Sequence, residues 1–246
     1  MNPHGPERKP LFVSHRLAGP PLPAVVLERA NRFLARCRLD DGREVFAHVP
    51  DRGRLTNVLV PGARAYLFAA QGPTRRTSFS LLVCEEPRSS VLVAIDPAGA
   101  NLRTRALLDR GLVPGIPPGV SVRPEARLGE SRIDFLLTRG AERVALEVKS
   151  VGVTRAGIAT FPDAPTERGV RHLEELARFV RGGEGEALVL FVVQRGDATA
   201  VRPDGEIDPL FARTMRRLAK TLRYAAVGFE VAPAGLTFRG ELPVLL

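Results

Sequence analysis

Hydrophobic and polar residues alternate in short stretches along the first part of the chain, and each stretch ends at Gly, Pro or Asp. This pattern predicts about five β-strands, with a hairpin turn at 40–42, over 25–39, 44–49, 63–69, 78–84 and 91–95. Five short strands in about 70 residues are typical of a small barrel, with the OB type as leading candidate. The spacing alone does not distinguish it from an SH3-like barrel. The Pro- and Gly-rich residues 1–23 predict a partly ordered arm.

From residue 96 the pattern changes to helices that alternate with strands. Helical spacing of apolar residues predicts helices at 100–112, 166–180 and 208–224. Period-two alternation or continuous apolar sequence predicts strands at 120–128, 131–137, 143–151, 187–194 and 228–231. The segment 187–194 is apolar throughout, so we expect a central strand. The chain therefore predicts an OB-like barrel at 1–95 and an α/β domain at 96–246.

The predicted hairpin at 131–151 carries the strongest chemical signal. A two-residue turn in its middle would pair residues whose numbers sum to 281, which places Asp134 opposite Glu147. Lys149 then projects from the same face as Glu147. The apolar residues of the first strand share the other face, namely Ile133, Phe135 and Leu137.

Two carboxylates that face each other across a hairpin must share a proton, remain solvated or hold a cation. Oxygen ligands favour hard ions, so Mg²⁺ or Mn²⁺ is the predicted cofactor, with Asp134 and Glu147 as its ligands. Lys149 would position the attacking water or stabilise a phosphate. The alternative is a surface Glu147–Lys149 pair with Asp134 merely solvated, and the spacing alone leaves it open.

Charge points toward a polyanionic partner. The chain has 36 Lys and Arg against 27 Asp and Glu, a formal net charge of +9, and residues 1–95 hold +6 of it. Such a balance favours nucleic acid or an anionic surface, although it is also compatible with a well-solvated exterior. Only three of the 36 basic residues are lysine, and Lys149 is the one inside an apolar strand.

The longest apolar runs are too short for a membrane helix, and residues 1–10 contain no secretory apolar segment. Cys37 and Cys84 are too few for a disulfide framework, so we expect buried thiols in a reduced cytoplasmic protein. The oligomeric state is left open, a homo-oligomer included.

Three long motifs, at 130–137, 146–151 and 161–173, resemble the sugar fermentation stimulation protein A family. Residues 32–35, 48–55, 100–101 and 242–244 extend the resemblance over nearly the whole chain. The resemblance implies an OB-like domain followed by a PD-(D/E)XK nuclease-like domain, and DNA binding with low sequence specificity. It also implies a link to the regulation of sugar (maltose) metabolism genes.

In that family's pattern, Asp134, Glu147 and Lys149 match the nuclease core, and Glu125 resembles a further acidic position. The segment at 48–55 departs from the family, since Val49, Asp51 and Arg52 stand where Cys, Asn and Thr are usual.

Other residues are candidates for contacts near the site or with nucleic acid. Gln194 ends the predicted central strand and could orient a phosphate or water. Phosphate contacts are predicted for Arg32, His48, Arg52, Arg54, Arg75, Arg76, Thr166, Arg168 and His172. Helix capping, a structural histidine and solvated arginines are the plainer alternatives. We expect Phe33 and Phe46 in the core, with base stacking as the alternative.

These observations leave three functions in contention. The first is a Mg²⁺-dependent nuclease acting on DNA, based on Asp134, Glu147 and Lys149. The second is a non-catalytic DNA-binding regulator. The third, a sugar-metabolic enzyme, has only the family name in its favour, since the sequence shows neither a nucleotide-binding Gly-rich loop nor an aromatic sugar platform.

Overall fold

The computed structural model describes residues 11–15, 17, 19–70, 72, 75–129 and 131–246. Most of the predicted arm and Glu130 of the 130–137 motif lie outside these residues. The elements in chain order are β1 (Phe12–Ser14), β2 (Leu22–Asn31), β3 (Leu34–Leu39), β4 (Glu44–His48), β5 (Arg64–Ala69), β6 (Phe79–Glu86), β7 (Val91–Ala94), α1 (Pro97–Asp109), β8 (Ser121–Leu128), β9 (Ser131–Arg139), β10 (Glu142–Val151), β11 (Val153–Arg155), β12 (Ile158–Phe161), α2 (Glu167–Arg181), β13 (Glu186–Val193), β14 (Ala200–Pro203), α3 (Pro209–Arg217), β15 (Arg223–Ala232) and β16 (Gly235–Leu242).

The first large unit is a closed barrel of five strands. Antiparallel pairing runs β4–β3–β2–β5–β6, a short parallel contact between β4 and β6 closes the ring, and β7 extends it from β6. The single stretch predicted at 25–39 is wrong, because the chain reverses between β2 and β3. Asn31 Oδ1 accepts a hydrogen bond from the Phe33 backbone N–H at 2.9 Å, which stabilises this turn. Cys37 and Cys84 are buried free thiols, as predicted.

The second unit is a mixed seven-stranded sheet in the order β1–β16–β15–β13–β10–β9–β8. Strand β13 lies between β10 and β15 and is parallel to both, which confirms the predicted central strand. The predicted fold class, an OB-like barrel followed by an α/β domain, is thus confirmed. A three-stranded sheet, β11–β12–β14, completes the strands, and none of its members was predicted.

Two hydrophobic cores cover the two faces of the large sheet. One core joins α1 to the sheet and also takes in barrel residues such as Phe68, Leu82 and Val83, so the barrel packs against this face. The other core lies under α2 and α3, where Phe179 and Phe211 are buried. The barrel and α2 therefore approach the end of β10 from different sides.

The position of β1 limits the predicted division of the chain. Strand β1 pairs with β16 at the edge of the large sheet and does not join the barrel. The division at residue 95 stays a prediction, and β1 is an exception to it. Among the residues that the structure describes, no helix combines the length and the apolar character that a bilayer span requires.

Two further predictions are wrong in detail. Helix α3 ends at Arg217 rather than at 224, because the chain returns to the sheet at this point. Tyr224 belongs to β15 and pairs with Val189 of β13. Ile133 does not share a core with Phe135, since it packs beneath α2 while Phe135 packs beneath α1. The pairing of β8 with β9 is interrupted at this level, where Glu125 has a φ of +49°.

Candidate active site at the end of the β9–β10 hairpin

The β9–β10 hairpin has the predicted register. Its paired residues sum to 281 from Glu142 and Arg139 to Leu146 and Phe135, which confirms that prediction. Regular pairing stops one position before Asp134 and Glu147. At this point the Val148 N–H donates to Asp134 Oδ2 at 2.8 Å, so the carboxylate replaces a strand carbonyl as acceptor.

Helix α1 supplies the second contact to Asp134. Asn101 Nδ2 donates to Asp134 Oδ1 at 2.7 Å. Asp134 is thus held by both carboxylate oxygens, one against β10 and one against α1. Asn101 was not predicted as a site residue, because nothing local in the sequence indicates which strand a helical asparagine will face.

Glu147 is buried and held by two side chains at one oxygen. Lys149 Nζ donates to Glu147 Oε1 at 2.7 Å, and His172 Nδ1 lies 2.6 Å from the same atom. The other oxygen, Oε2, is buried and has no hydrogen-bond partner. Buried polar atoms are nearly always satisfied, so an unpaired carboxylate oxygen indicates a place for a ligand.

The hydrogen bonds determine the tautomer of His172. Arg168 Nε donates to His172 Nε2 at 3.2 Å, so Nε2 is an acceptor. An ionised carboxylate only accepts, so Nδ1 carries the proton and donates to Glu147. His172 and Arg168 were predicted as phosphate contacts, whereas the structure places them in a chain that orients Glu147.

The two carboxylates differ in their electrostatic environments. Burial and the neighbouring charge of Glu147 raise the pKa of Asp134, although hydrogen bonds from Val148 and Asn101 oppose the shift. Burial also acts to raise the pKa of Glu147, but the His172 hydrogen bond and the Lys149 charge outweigh it, so that pKa is lowered. Glu147 is therefore the firmly ionised member, and an added positive charge would stabilise ionised Asp134.

Three other predicted site residues lie apart from this group. Glu125 is exposed and forms an ion pair with Arg132 at 3.3 Å. Gln194 is fully buried and donates to Ser150 Oγ at 2.5 Å. Thr166 caps α2, because its side chain accepts from the Gly169 N–H at 2.9 Å.

A cavity of about 190 Å³ lies beside the hairpin, between the barrel and the α/β domain. Lys149, Asp51 and Asp163 contribute to its lining. The Arg54 backbone N–H donates to Asp163 Oδ2 at 3.1 Å, and a Cβ on Gly53 would overlap the same carboxylate. Residues 50–54 of the barrel therefore reach the immediate neighbourhood of Lys149. Neither Asp51 nor Asp163 was predicted as part of this region, because the barrel and the α/β domain meet here only through tertiary packing.

The predicted nucleic-acid contacts of the barrel gather on its outer surface. A groove of about 570 Å³ is lined by Asn31, Phe33, Leu34, Phe46, His48, Arg75, Arg76 and Thr77. The expectation that Phe33 and Phe46 are core residues is wrong, since they are 45% and 49% exposed. Phe33 lies in the β2–β3 turn, and Phe46 lies opposite Arg36 on the outward face of β4.

Arg52 and Arg54 follow the same surface toward the cavity. The Arg52 guanidinium carbon lies 5.7 Å from the centroid of the Phe33 ring. Arg32 is exposed next to Phe33, and its carbonyl accepts from Arg29 at 3.1 Å. Four of the predicted contacts, Arg32, Arg52, Arg54 and Arg76, therefore remain on exposed surface.

Comparison with known proteins identifies relatives over both units. A family model described as the SfsA N-terminal OB domain matches residues 27–94. A second, described as the sugar fermentation stimulation protein RE domain, matches residues 100–235.

The curated relatives are similar over nearly their full length. A sugar fermentation stimulation protein homolog of Chloroflexus aurantiacus is 38% identical over 242 residues, covering 98% of this chain and 91% of the relative. A homolog of Symbiobacterium thermophilum is 42% identical over 241 residues, covering 92% of this chain and 95% of the relative. Among solved structures, Pyrococcus furiosus SfsA in complex with Ca²⁺ has a TM-score of 0.85 at 26% identity, covering 95% of this chain and 100% of that one.

Proposed function

Because the chain belongs to the sugar fermentation stimulation protein family, with an N-terminal OB domain and a nuclease-like domain, we propose that it binds DNA and hydrolyses its phosphodiester bonds with Mg²⁺ or Mn²⁺. The observation that carries the proposal is the state of Glu147. One of its oxygens is oriented by Lys149 and His172, while the other is buried without a hydrogen-bond partner. The charge of Glu147 also acts on Asp134, whose pKa it raises.

The donor set suits a hard cation. Asp134 and Glu147 would contribute carboxylate oxygens, and each oxygen of Asp134 keeps a free lone pair besides its hydrogen bond. The described residues contain no cluster of three or more His, Cys, Asp or Glu that could hold a metal. Mg²⁺ is commonly held by one or two carboxylates together with waters and substrate phosphate, so Asp134 and Glu147 would be a sufficient protein donor set for it. The similar Pyrococcus furiosus protein is described as a complex with Ca²⁺, another hard cation.

Each residue of the group has a distinct task in the proposed reaction. A bound ion would supply Lewis-acid activation and neutralise charge on the phosphate. Val148 and Asn101 keep Asp134 in place, and His172 keeps Glu147 in place. Lys149 lines the cavity between the domains, where its ammonium can hold a phosphate oxygen or the attacking water.

A second candidate function is DNA binding without hydrolysis, in a regulatory role. It is favoured by the close contact of Lys149 and Glu147, which already neutralises one carboxylate, and by the net charge of +9. In this case affinity for DNA should fall steeply with salt, because phosphate neutralisation releases counterions.

The two candidates are separated by incubating the full chain with plasmid and single-stranded DNA in the presence of Mg²⁺, Mn²⁺ or EDTA. Hydrolysis should require the cation, and Asp134→Asn should lower the rate about 100-fold or more. Glu142→Gln is the matched control, because this exposed carboxylate on β10 pairs opposite Arg139 at the turn end of the hairpin, five residues before Glu147.

Binding of Mn²⁺ measured by calorimetry provides a readout independent of activity. Asp134→Asn should weaken it, and Glu142→Gln should not. If no substrate is cleaved with any cation and Mn²⁺ binding is unaffected by Asp134→Asn, the hydrolase proposal is refuted and the regulatory binder remains.

A further inference from the structure

The outer face of β3 and β4 exposes two aromatic rings that contribute little to the core. Pairing of Ala35 with Ala47 directs these small side chains into the barrel. The intervening pairs, Leu34 with His48 and Arg36 with Phe46, therefore point outward. Phe33 stands beside them at the turn. Two half-exposed phenylalanines in one groove form a feature that folding alone does not explain.

Positive charge surrounds this groove. Arg75 and Arg76 line it, and Arg52 stacks over Phe33. The ion pairs of this face belong to Arg36, which contacts Glu28 at 3.0 Å and Glu44 at 2.7 Å. Arg75 donates to Ser80 Oγ at 2.6 Å, which holds its guanidinium at the groove. Arg52 and Arg76 are exposed and form no ion pair with any residue that the structure describes, so both can contact an external anion.

A ligand that satisfies this groove must offer flat aromatic surface and negative charge at close spacing. In a duplex the bases stack on one another, so their faces are not accessible. A single strand exposes both its base faces and its phosphates, and bases stack on aromatic side chains without regard to sequence. In OB barrels the equivalent strands and the loops that flank them form the oligonucleotide-binding surface.

We propose that Phe33 and Phe46 stack unpaired bases of single-stranded DNA, so that the protein prefers single strands or the single-stranded arms of junctions. This deepens the proposed function, since it rests on nucleic acid being the partner. It does not depend on hydrolysis.

The surface between the groove and the candidate active site supports this substrate class. Arg52 contacts Phe33, and the following residues, Gly53 and Arg54, contact Asp163 beside the cavity that Lys149 lines. A strand whose bases occupy the groove can therefore continue along exposed arginines toward the cavity lined by Lys149, whose ammonium contacts Glu147.

The test measures fluorescence anisotropy of labelled oligo-dT and of a duplex of equal length, with EDTA present so that no hydrolysis occurs. Phe33→Ala with Phe46→Ala should weaken oligo-dT binding by about 5- to 150-fold per lost stacking contact and leave duplex affinity within about twofold. Phe33→Tyr with Phe46→Tyr retains both rings and should restore binding. Phe12→Ala removes an equally exposed ring from β1, outside the barrel, and should have no effect.

Further measurements distinguish the contributions of the bases, the phosphates and the sugar to binding. An abasic oligonucleotide should bind the wild-type chain about as weakly as oligo-dT binds the double alanine variant. Arg76→Ala should weaken single strands and duplex together and reduce the salt dependence. Oligo-U compared with oligo-dT shows whether RNA is preferred, and a clear preference for oligo-U would contradict the DNA assignment.

Equal loss of single-strand and duplex affinity in the double alanine variant, or no loss of either, would overturn the inference. Far-UV circular dichroism of each variant verifies the fold. If Asp134→Asn has no effect on cleavage while the rings govern oligo-dT binding, hydrolysis fails and this inference stands.

Discussion

Ionisation of Asp51, at the interface between the barrel and the α/β domain, should lower the free energy of unfolding, and this effect can be measured directly. Its side chain lines the 190 Å³ cavity, and its Oδ1 accepts from the Gly53 N–H at 2.8 Å. Burial, followed by the nearby charge of Asp163, raises its pKa from 3.8 to about 6. At neutral pH the folded protein therefore ionises a carboxyl group in an unfavourable place.

The sign and size of the effect follow from proton linkage. Because folding raises the pKa of Asp51, the protonated carboxyl group favours the folded state. This contribution to the free energy of unfolding is complete below about pH 4 and is lost as the pH rises through about 6. A shift of about two units corresponds to about 3 kcal/mol at pH 8. The side chain is only partly buried, so solvent screening reduces the expected value to about 1–2 kcal/mol.

Asp51→Asn removes the titration and keeps an oxygen that can accept from Gly53. It should raise the free energy of unfolding by about 1–2 kcal/mol at pH 8, and by about half as much at pH 5. Urea unfolding in EDTA, followed by far-UV circular dichroism because the chain has no Trp, measures both values. Asp40→Asn, at an exposed carboxylate, is the control and should change stability by less than about 0.5 kcal/mol. An equal gain at both pH values, or a loss at pH 8, would refute the reasoning.

Two other perturbations probe the buried polar contacts. His172→Asn removes the ring that orients Glu147 and should weaken Mn²⁺ binding about 10- to 100-fold in calorimetry. Unfolding of the variant in EDTA is the control for stability. Unchanged affinity would show that Lys149 alone orients the carboxylate. Arg195 is fully buried and joins Glu86 of the barrel, at 2.8 Å, to Asp197, at 2.6 Å. Arg195→Met removes the cation from both carboxylates and leaves Glu86 only the hydrogen bonds from Asn57 and Ser89. It should cost about 3–5 kcal/mol, which is about 6–20 °C in the melting temperature; a shift below about 2 °C would contradict a structural role.

The parts of the structure that the sequence anticipated depend on local geometry. Alternating polarity and a two-residue turn were sufficient for the register of the β9–β10 hairpin, and the apolar stretch at 187–194 for the central strand. A register error of one residue would turn every side chain to the wrong face, so such a pattern admits a single solution. The end of α3 was mispredicted because the chain's return to β15 depends on distant strands.

The sequence by itself predicted two carboxylates and an ammonium at one end of a hairpin, since all three lie within sixteen residues of chain. In the structure Lys149 contacts Glu147 at 2.7 Å, and the charge of Glu147 raises the pKa of Asp134. Only the tertiary structure decided which residues orient them. Asn101 on α1 and His172 on α2 reach Asp134 and Glu147 because the two helices pack on opposite faces of the sheet. The exposure of Phe33 and Phe46 was likewise decided by closure of the barrel, which selects the inward face of each strand. Such contacts join residues far apart in the chain and arise from packing, so no local pattern encodes them.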